Sequence, residues 1–234
     1  MHKVAILQSN YIPWKGYFDI IHEVDTFVFY DDVQYTRRDW RNRNKVKTPK
    51  GADWLTVPVK KGAREQLIHE VEIEETDWQK NHWRTLQCHY SKAPFFNQYS
   101  DFLQALYLEQ TWCNLSEFNH HVIKQISEHI LNIQTTFVDD RKFGATERNQ
   151  GRLLQILKEL DADYYLSGPA AKAYIDEDEF RKAGVEIEWK SYSGYPEYSQ
   201  FYPPFEHGVT ILDLIMHVGP EAPWYIWGWR DEHK

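Results

Sequence analysis

Between Gln34 and Lys47 the chain places six cations, Arg37, Arg38, Arg41, Arg43, Lys45 and Lys47, beside the rings of Tyr35 and Trp40 and the amides of Gln34, Asn42 and Asn44. A guanidinium offers five donors in a rigid fork that matches phosphate or carboxylate, and its flat face stacks on aromatic rings. A plain connector has no need of that combination. The expected ligand is a compact anion carrying a stackable ring, held at Arg41 and Arg43 with Trp40, Asn42 and Asn44 around it. The whole chain carries a formal charge of −8, whereas affinity for nucleic-acid backbones comes from a surface rich in Lys and Arg. A charged pocket on an acidic body is expected, without stable nucleic-acid binding.

Just upstream, Asp31-Asp32 is the clearest carboxylate pair, adjoining Gln34 and Tyr35. Successive strand residues point to opposite faces, so one carboxylate of the two should reach a crevice. There it could act as general base toward an amine or hydroxyl, or as an oxygen ligand of Mg²⁺. The alternative is a turn-capping aspartate paired with Arg37 or Arg41. Sequence leaves these open.

A third segment, Gln8-Ser9-Asn10-Tyr11-Ile12-Pro13-Trp14-Lys15-Gly16, holds a single glycine and is therefore neither a P-loop nor a GxGxxG turn. Any ligand contact from it must come from side chains: Gln8, Asn10, Tyr11, Trp14 and Lys15. Equally, Pro13 and Trp14 could simply brace a turn. Ser167-Gly168-Pro169 is a further candidate for presenting backbone donors to an anion. It lacks the Gly-x-Ser-x-Gly elbow, so Ser167 is read as a binder or a cap rather than a nucleophile. The 11 histidines form neither HxH nor HExxH, and the two cysteines, Cys88 and Cys113, form no CxxC. No metal site is expected. Asp213 and His217, four apart on one helix face, are read as structural or solvent-facing.

These segments need elements to position them. Val4–Leu7 and Thr26–Tyr30 read as buried strands with an amphipathic helix, Tyr17 to Val24, between them, which is the βαβ unit of a parallel sheet. In open parallel sheets ligands bind beyond the carboxyl ends of the strands, here Gln8 to Gly16 and Asp31 to Asn44. Trp54–Val59 is expected as a third strand, with Pro58 marking an edge or a strand end. Residues 77 to 131 change to helical character. Asp77 is placed to cap a helix through Tyr90, and Pro94 to open another that ends near Cys113. Asn114 to Glu117 resembles a capping box before a third helix. The α/β rhythm then resumes through Thr135–Val138, a helix from Thr146 to Leu160, Tyr164–Leu166, a helix from Asp176 to Ala183, Val185–Trp189, and a helix from Val209 to His217 stopped by Gly219. The expected fold is α/β, a mostly parallel, Rossmann-like sheet of at least five strands with flanking helices and a helical insertion. Residues 1–76 and 134–234 form the α/β part and 77–133 the insertion.

The bulk figures agree with this. Hydrophobic residues make up 42% and aromatics 16% of 234 residues, ample for a globular core. With two scattered cysteines and no apolar run near the roughly 20 residues that a spanning helix needs, the expected setting is the cytoplasm, without membrane insertion.

The segments Ile6-Leu7-Gln8, Tyr11-Ile12-Pro13-Trp14-Lys15-Gly16-Tyr17-Phe18, Val33-Gln34-Tyr35, Trp40-Arg41-Asn42-Arg43-Asn44 and Trp54-Leu55-Thr56-Val57-Pro58-Val59 together resemble the WbqC-like family. Tyr165-Leu166-Ser167-Gly168-Pro169-Ala170-Ala171 and Ile211-Leu212-Asp213-Leu214 are similar to the same family. The chain departs from the family pattern at Ser9, where proline is more usual, and at His217, where asparagine is expected. The resemblance implies bacterial cell-surface polysaccharide work such as O-antigen assembly. The preferred activity is transfer of an acyl or aminoacyl group to the amine of a nucleotide-linked amino sugar. An acyl-thioester or aminoacyl donor, an acyl carrier and Mg²⁺ are the cofactors and partners such chemistry admits. Two alternatives stand beside it: a nucleotidyltransferase-like enzyme activating a small carboxylate with ATP, and a non-catalytic scaffold of a polysaccharide assembly complex.

Overall fold

A computed structural model describes residues 1–233. Its centre is a parallel sheet of five strands: β1 (Lys3–Leu7), β2 (Thr26–Phe29), β5 (Thr136–Asp139), β6 (Tyr164–Ser167) and β7 (Glu186–Trp189). They lie in the order β5-β2-β1-β6-β7, and all four neighbouring pairs are parallel. Both faces of such a sheet must be covered, and the period-two alternation of strand side chains divides the core accordingly. Ala5, Phe27 and Phe29 join one cluster with α1 (Lys15–His22) and α7 (Ile211–Val218). Val4, Ile6 and Val28 join the other with Leu153, Ile156 and Leu157 of α5 (Gln150–Glu159) and Phe180 of α6 (Glu177–Lys182).

The long connection from β2 to β5 holds two features. One is an antiparallel hairpin of β3 (Arg43–Thr48) and β4 (Gly51–Thr56), which form a sheet of their own. This corrects the expectation of a third sheet strand at Trp54–Val59. The strand stops at Thr56, its partner is the basic stretch itself, and Pro58 lies beyond the ladder. The other feature is the helical segment: α2 (Trp78–Tyr90), α3 (Phe96–Gln104) and α4 (Leu115–Gln125). Asn114 caps α4, its side chain accepting from the Glu117 amide at 3.0 Å. Trp78, Trp83, Phe96 and Tyr99 are buried in the same cluster that covers the α1 face of the sheet.

Candidate functional site in the crevice beyond the strands

Going outward from β1, the chain winds first to β2 and β5 and later to β6 and β7, so the winding direction reverses between β1 and β6. Open α/β sheets bind ligands in the crevice at the carboxyl ends of such a pair. A cavity of about 620 Å³ opens there, lined by Leu7, Gln8, Tyr30, Val33, Tyr165 and Tyr174 together with Asn149 and Gln150. Asn149 and Gln150 stand at the start of α5, so the positive dipole end of this helix is at the cavity wall. A larger cavity of about 920 Å³ is lined only by residues between Lys60 and Glu117 and includes no end of a sheet strand. The switch-point cavity is therefore the candidate site.

Asp31 and Asp32, at the end of β2, diverge as strand geometry requires. Asp31 is buried and accepts from the Ser9 amide at 2.8 Å, from His120 Nε2 at 2.9 Å, and from the Ser116 hydroxyl. Burial raises its carboxyl, but the bonds from His120, Ser116 and Ser9 outweigh that and hold it below the ordinary range. His120 lies face to face on Phe29, ring centres 3.8 Å apart. Asp32 accepts from His69 Nε2 at 3.0 Å and from the Arg152 guanidinium. Burial raises this carboxyl as well, and the Arg152 and His69 bonds bring the net below the ordinary range. Arg152, on α5, also lies 5.6 Å from the ring centre of Tyr30; Tyr30 and Val33 line the cavity, and Asp32 between them in sequence does not. Neither aspartate pairs with Arg37 or Arg41.

Behind both stands Asp140, fully buried, accepting from the amides of Asp31 and Asp32 at 3.2 Å. Burial pushes its carboxyl up to about 6. Among the described residues no group of three or more His, Cys, Asp or Glu could hold a metal ion.

Of the other residues singled out in the sequence, Gln8 lines the switch-point cavity, four line another, and the rest line neither. Asn10, Trp14, Trp40 and Asn44 line a second cavity of about 330 Å³, with Pro13 and Gly208. Arg41 bonds to Asn10 and lies 3.5 Å from Asp39, while Arg43 bonds the Arg38 carbonyl and stacks on Trp54 at 4.1 Å. Asn44 donates to the carbonyls of Tyr11 and Ile12, and Asn42 to that of Val57 at 2.8 Å. Both amides therefore hold the loops together. Tyr11 is buried, its hydroxyl bonded to His82 at 2.7 Å and Tyr107 at 2.5 Å, so its ring offers no ligand face.

Lys15 is buried 4.9 Å from the ring centre of Tyr195. Burial lowers its ammonium to about 8, against the raising effect of Asp213 and Glu197. Gln34 is exposed and bonds the Arg64 carbonyl, and Tyr35 is buried. Ser167 is buried at the end of β6, and neither it nor Gly168 lines the cavity. Asp213 and His217 are both buried. Asp213 accepts from Tyr90 and Tyr198 at 3.0 and 2.5 Å, which leaves the structural alternative and removes the solvent-facing one.

Sequence reasoning passed over His69, Ser116, His120, Asp140 and Arg152. Signals for some existed. Asp139-Asp140 is a second aspartate pair, at the end of β5 beside β2, and Ser116, Asn119 and His120 form a polar stripe at helical spacing along α4.

Comparison with known proteins matches the pattern of the WbqC-like protein family to residues 8–225. An uncharacterized protein of Mycobacterium tuberculosis is 45% identical over 227 residues, covering 97% of this chain and 98% of its own. No solved structure matches.

Proposed function

We propose, from the premise that the chain belongs to the WbqC-like protein family, that it is a bacterial cell-surface polysaccharide enzyme acting on a nucleotide-linked amino sugar in the cytoplasm. The observation that carries this reading is the cavity at the β1/β6 switch point, lined by Asn149 and Gln150 at the start of α5 and by Val33, whose chain neighbour Asp32 is paired with His69. A diphosphate suits the helix terminus and Gln8, and a nucleoside suits the rings of Tyr30, Tyr165 and Tyr174. The reaction in this reading is acyl or aminoacyl transfer from a thioester or aminoacyl donor. The sugar amine attacks the acyl carbonyl, the bond to the leaving group breaks with its electron pair, and nitrogen loses a proton. Asp32 is held by two donors and is a weak base by itself. His69 accepts the proton, and Asp32 fixes its tautomer and stabilises the imidazolium.

Thermal-shift titration with nucleotide sugars, followed by product assays with acyl-thioester donors, tests the reading. A concentration-dependent rise in Tm is expected, because a ligand that binds the native state stabilises it by mass action. His69→Gln is expected to retain nucleotide-sugar binding and to lower kcat by about 10² or more. Pyrophosphate release from ATP with small carboxylates, without response to any nucleotide sugar, would instead select carboxylate activation. Capture of pathway enzymes with no turnover would select a scaffold.

A further inference from the structure

The second cavity is built around two indoles whose positions are fixed from behind. Trp14 folds over Gly16, where an added Cβ would lie 2.3 Å from the Trp14 ring. Tyr192 and Tyr195 meet the same indole edge-on at 5.1 and 6.0 Å. Trp40, 40% exposed, packs on Trp54 at 5.3 Å, and Trp54 is in turn capped by the Arg43 guanidinium. Around them stand the amide of Asn10, the backbone of Gly208 and Asn44, whose own amide is committed to the loop carbonyls of Tyr11 and Ile12. Trp40 and Trp54 are both exposed and in contact, so with Trp14 they make a joined apolar patch, the kind of exposed apolar surface that marks binding sites.

We propose that this slot binds a hexopyranose. Flat apolar faces with the Asn10 amide nearby match a ring that presents C–H groups on its faces and hydroxyls at its edge. A volume of about 330 Å³ suits one such ring. The slot also adjoins the nucleotide crevice, since Gln8 lines one and Asn10 the other. Two residues of chain span at most about 7 Å. On the reading proposed above, a single nucleotide sugar occupies both, with its sugar between Trp14 and Trp40 and Arg41, bonded to Asn10, beside the join.

Saturation-transfer NMR with the methyl glycosides of glucosamine, N-acetylglucosamine and a 6-deoxyhexose tests the slot without any nucleotide. Transfer to ring C–H protons is expected in the wild type, with about tenfold weaker binding in Trp40→Ala. Trp40 is exposed, so this substitution leaves the fold intact, which circular dichroism verifies. Absence of transfer from all three glycosides overturns the proposal, as does binding that Trp40→Ala leaves unchanged. Binding of free uridine or adenosine at the slot in place of the glycosides overturns it too. Glycoside binding at the slot combined with no response to nucleotide sugars would leave the slot standing and remove the nucleotide reading.

Discussion

Asp140 shows most directly how burial sets behaviour at the scale of one residue. Its carboxyl titrates near 6, above the ordinary 3.8, because desolvation outweighs the help it receives from the Asp32 amide, Arg152 and the Asp31 amide. The folded protein therefore holds this proton over a range where the unfolded chain has lost it. The contribution to stability is full below about pH 4 and is lost as pH rises through about 6. Asp140→Asn keeps an acceptor for the two amides and removes the titration. Relative to this variant, the wild type is expected to lose on the order of 3 kcal/mol between pH 4 and pH 7. Urea unfolding of both proteins across that range checks this, and a pH-independent difference would show that the buried carboxyl does not titrate there. The difference between variants is the quantity to measure, because Asp31 and Asp32 are held low and contribute with the opposite sign.

At the scale of elements, the turn from β1 into α1 depends on the indole that lies over its first helical residues. Gly16→Ala would set a methyl carbon within 2.3 to 2.7 Å of three Trp14 ring atoms. The ring must then leave its packing with Tyr192 and Tyr195, at an expected cost of about 1–3 kcal/mol. A lowered urea midpoint and weaker glycoside binding should appear together, and weaker binding without loss of stability would separate the two roles. The sheet strands were legible because each is a short apolar run bounded by turn residues, as in Val4–Leu7 and Thr26–Phe29. β3 was not, because Arg43, Lys45 and Lys47 gave it the look of a charged loop. The alternation that marks it as a strand lies in the buried Asn44 and Val46 between them, and it breaks at Lys47, which is buried as well. The partners of the two aspartates were hidden for another reason. His69 and His120 reach them from elements 37 and 89 positions away, and no local pattern encodes that meeting.

Across the whole molecule, a buried ion cluster joins the last described turn to the first helix. Asp19 on α1 receives Lys190 at 2.8 Å, Arg230 at 2.7 Å and the Tyr195 hydroxyl at 2.5 Å. Removing one partner of a buried set leaves the opposite charge uncompensated. Asp19→Ala is therefore expected to cost about 3–5 kcal/mol, far more than an exposed ion pair such as Lys80–Asp77, for which about 0–1 kcal/mol is usual. Thermal unfolding of Asp19→Ala beside Asp77→Ala checks the contrast, and equal Tm values would contradict it. The central place of β1 has a further consequence for how the chain is made. β1 is synthesised well before β6, one of its two neighbours, and the His2 amide finds its carboxylate 161 positions later, at Asp163. At ordinary translation speeds that interval is on the order of ten seconds. Throughout it, one edge of the apolar strand stays open to other chains, so a ribosome that stalls before residue 164 presents a sticky half-sheet for chaperones to shield.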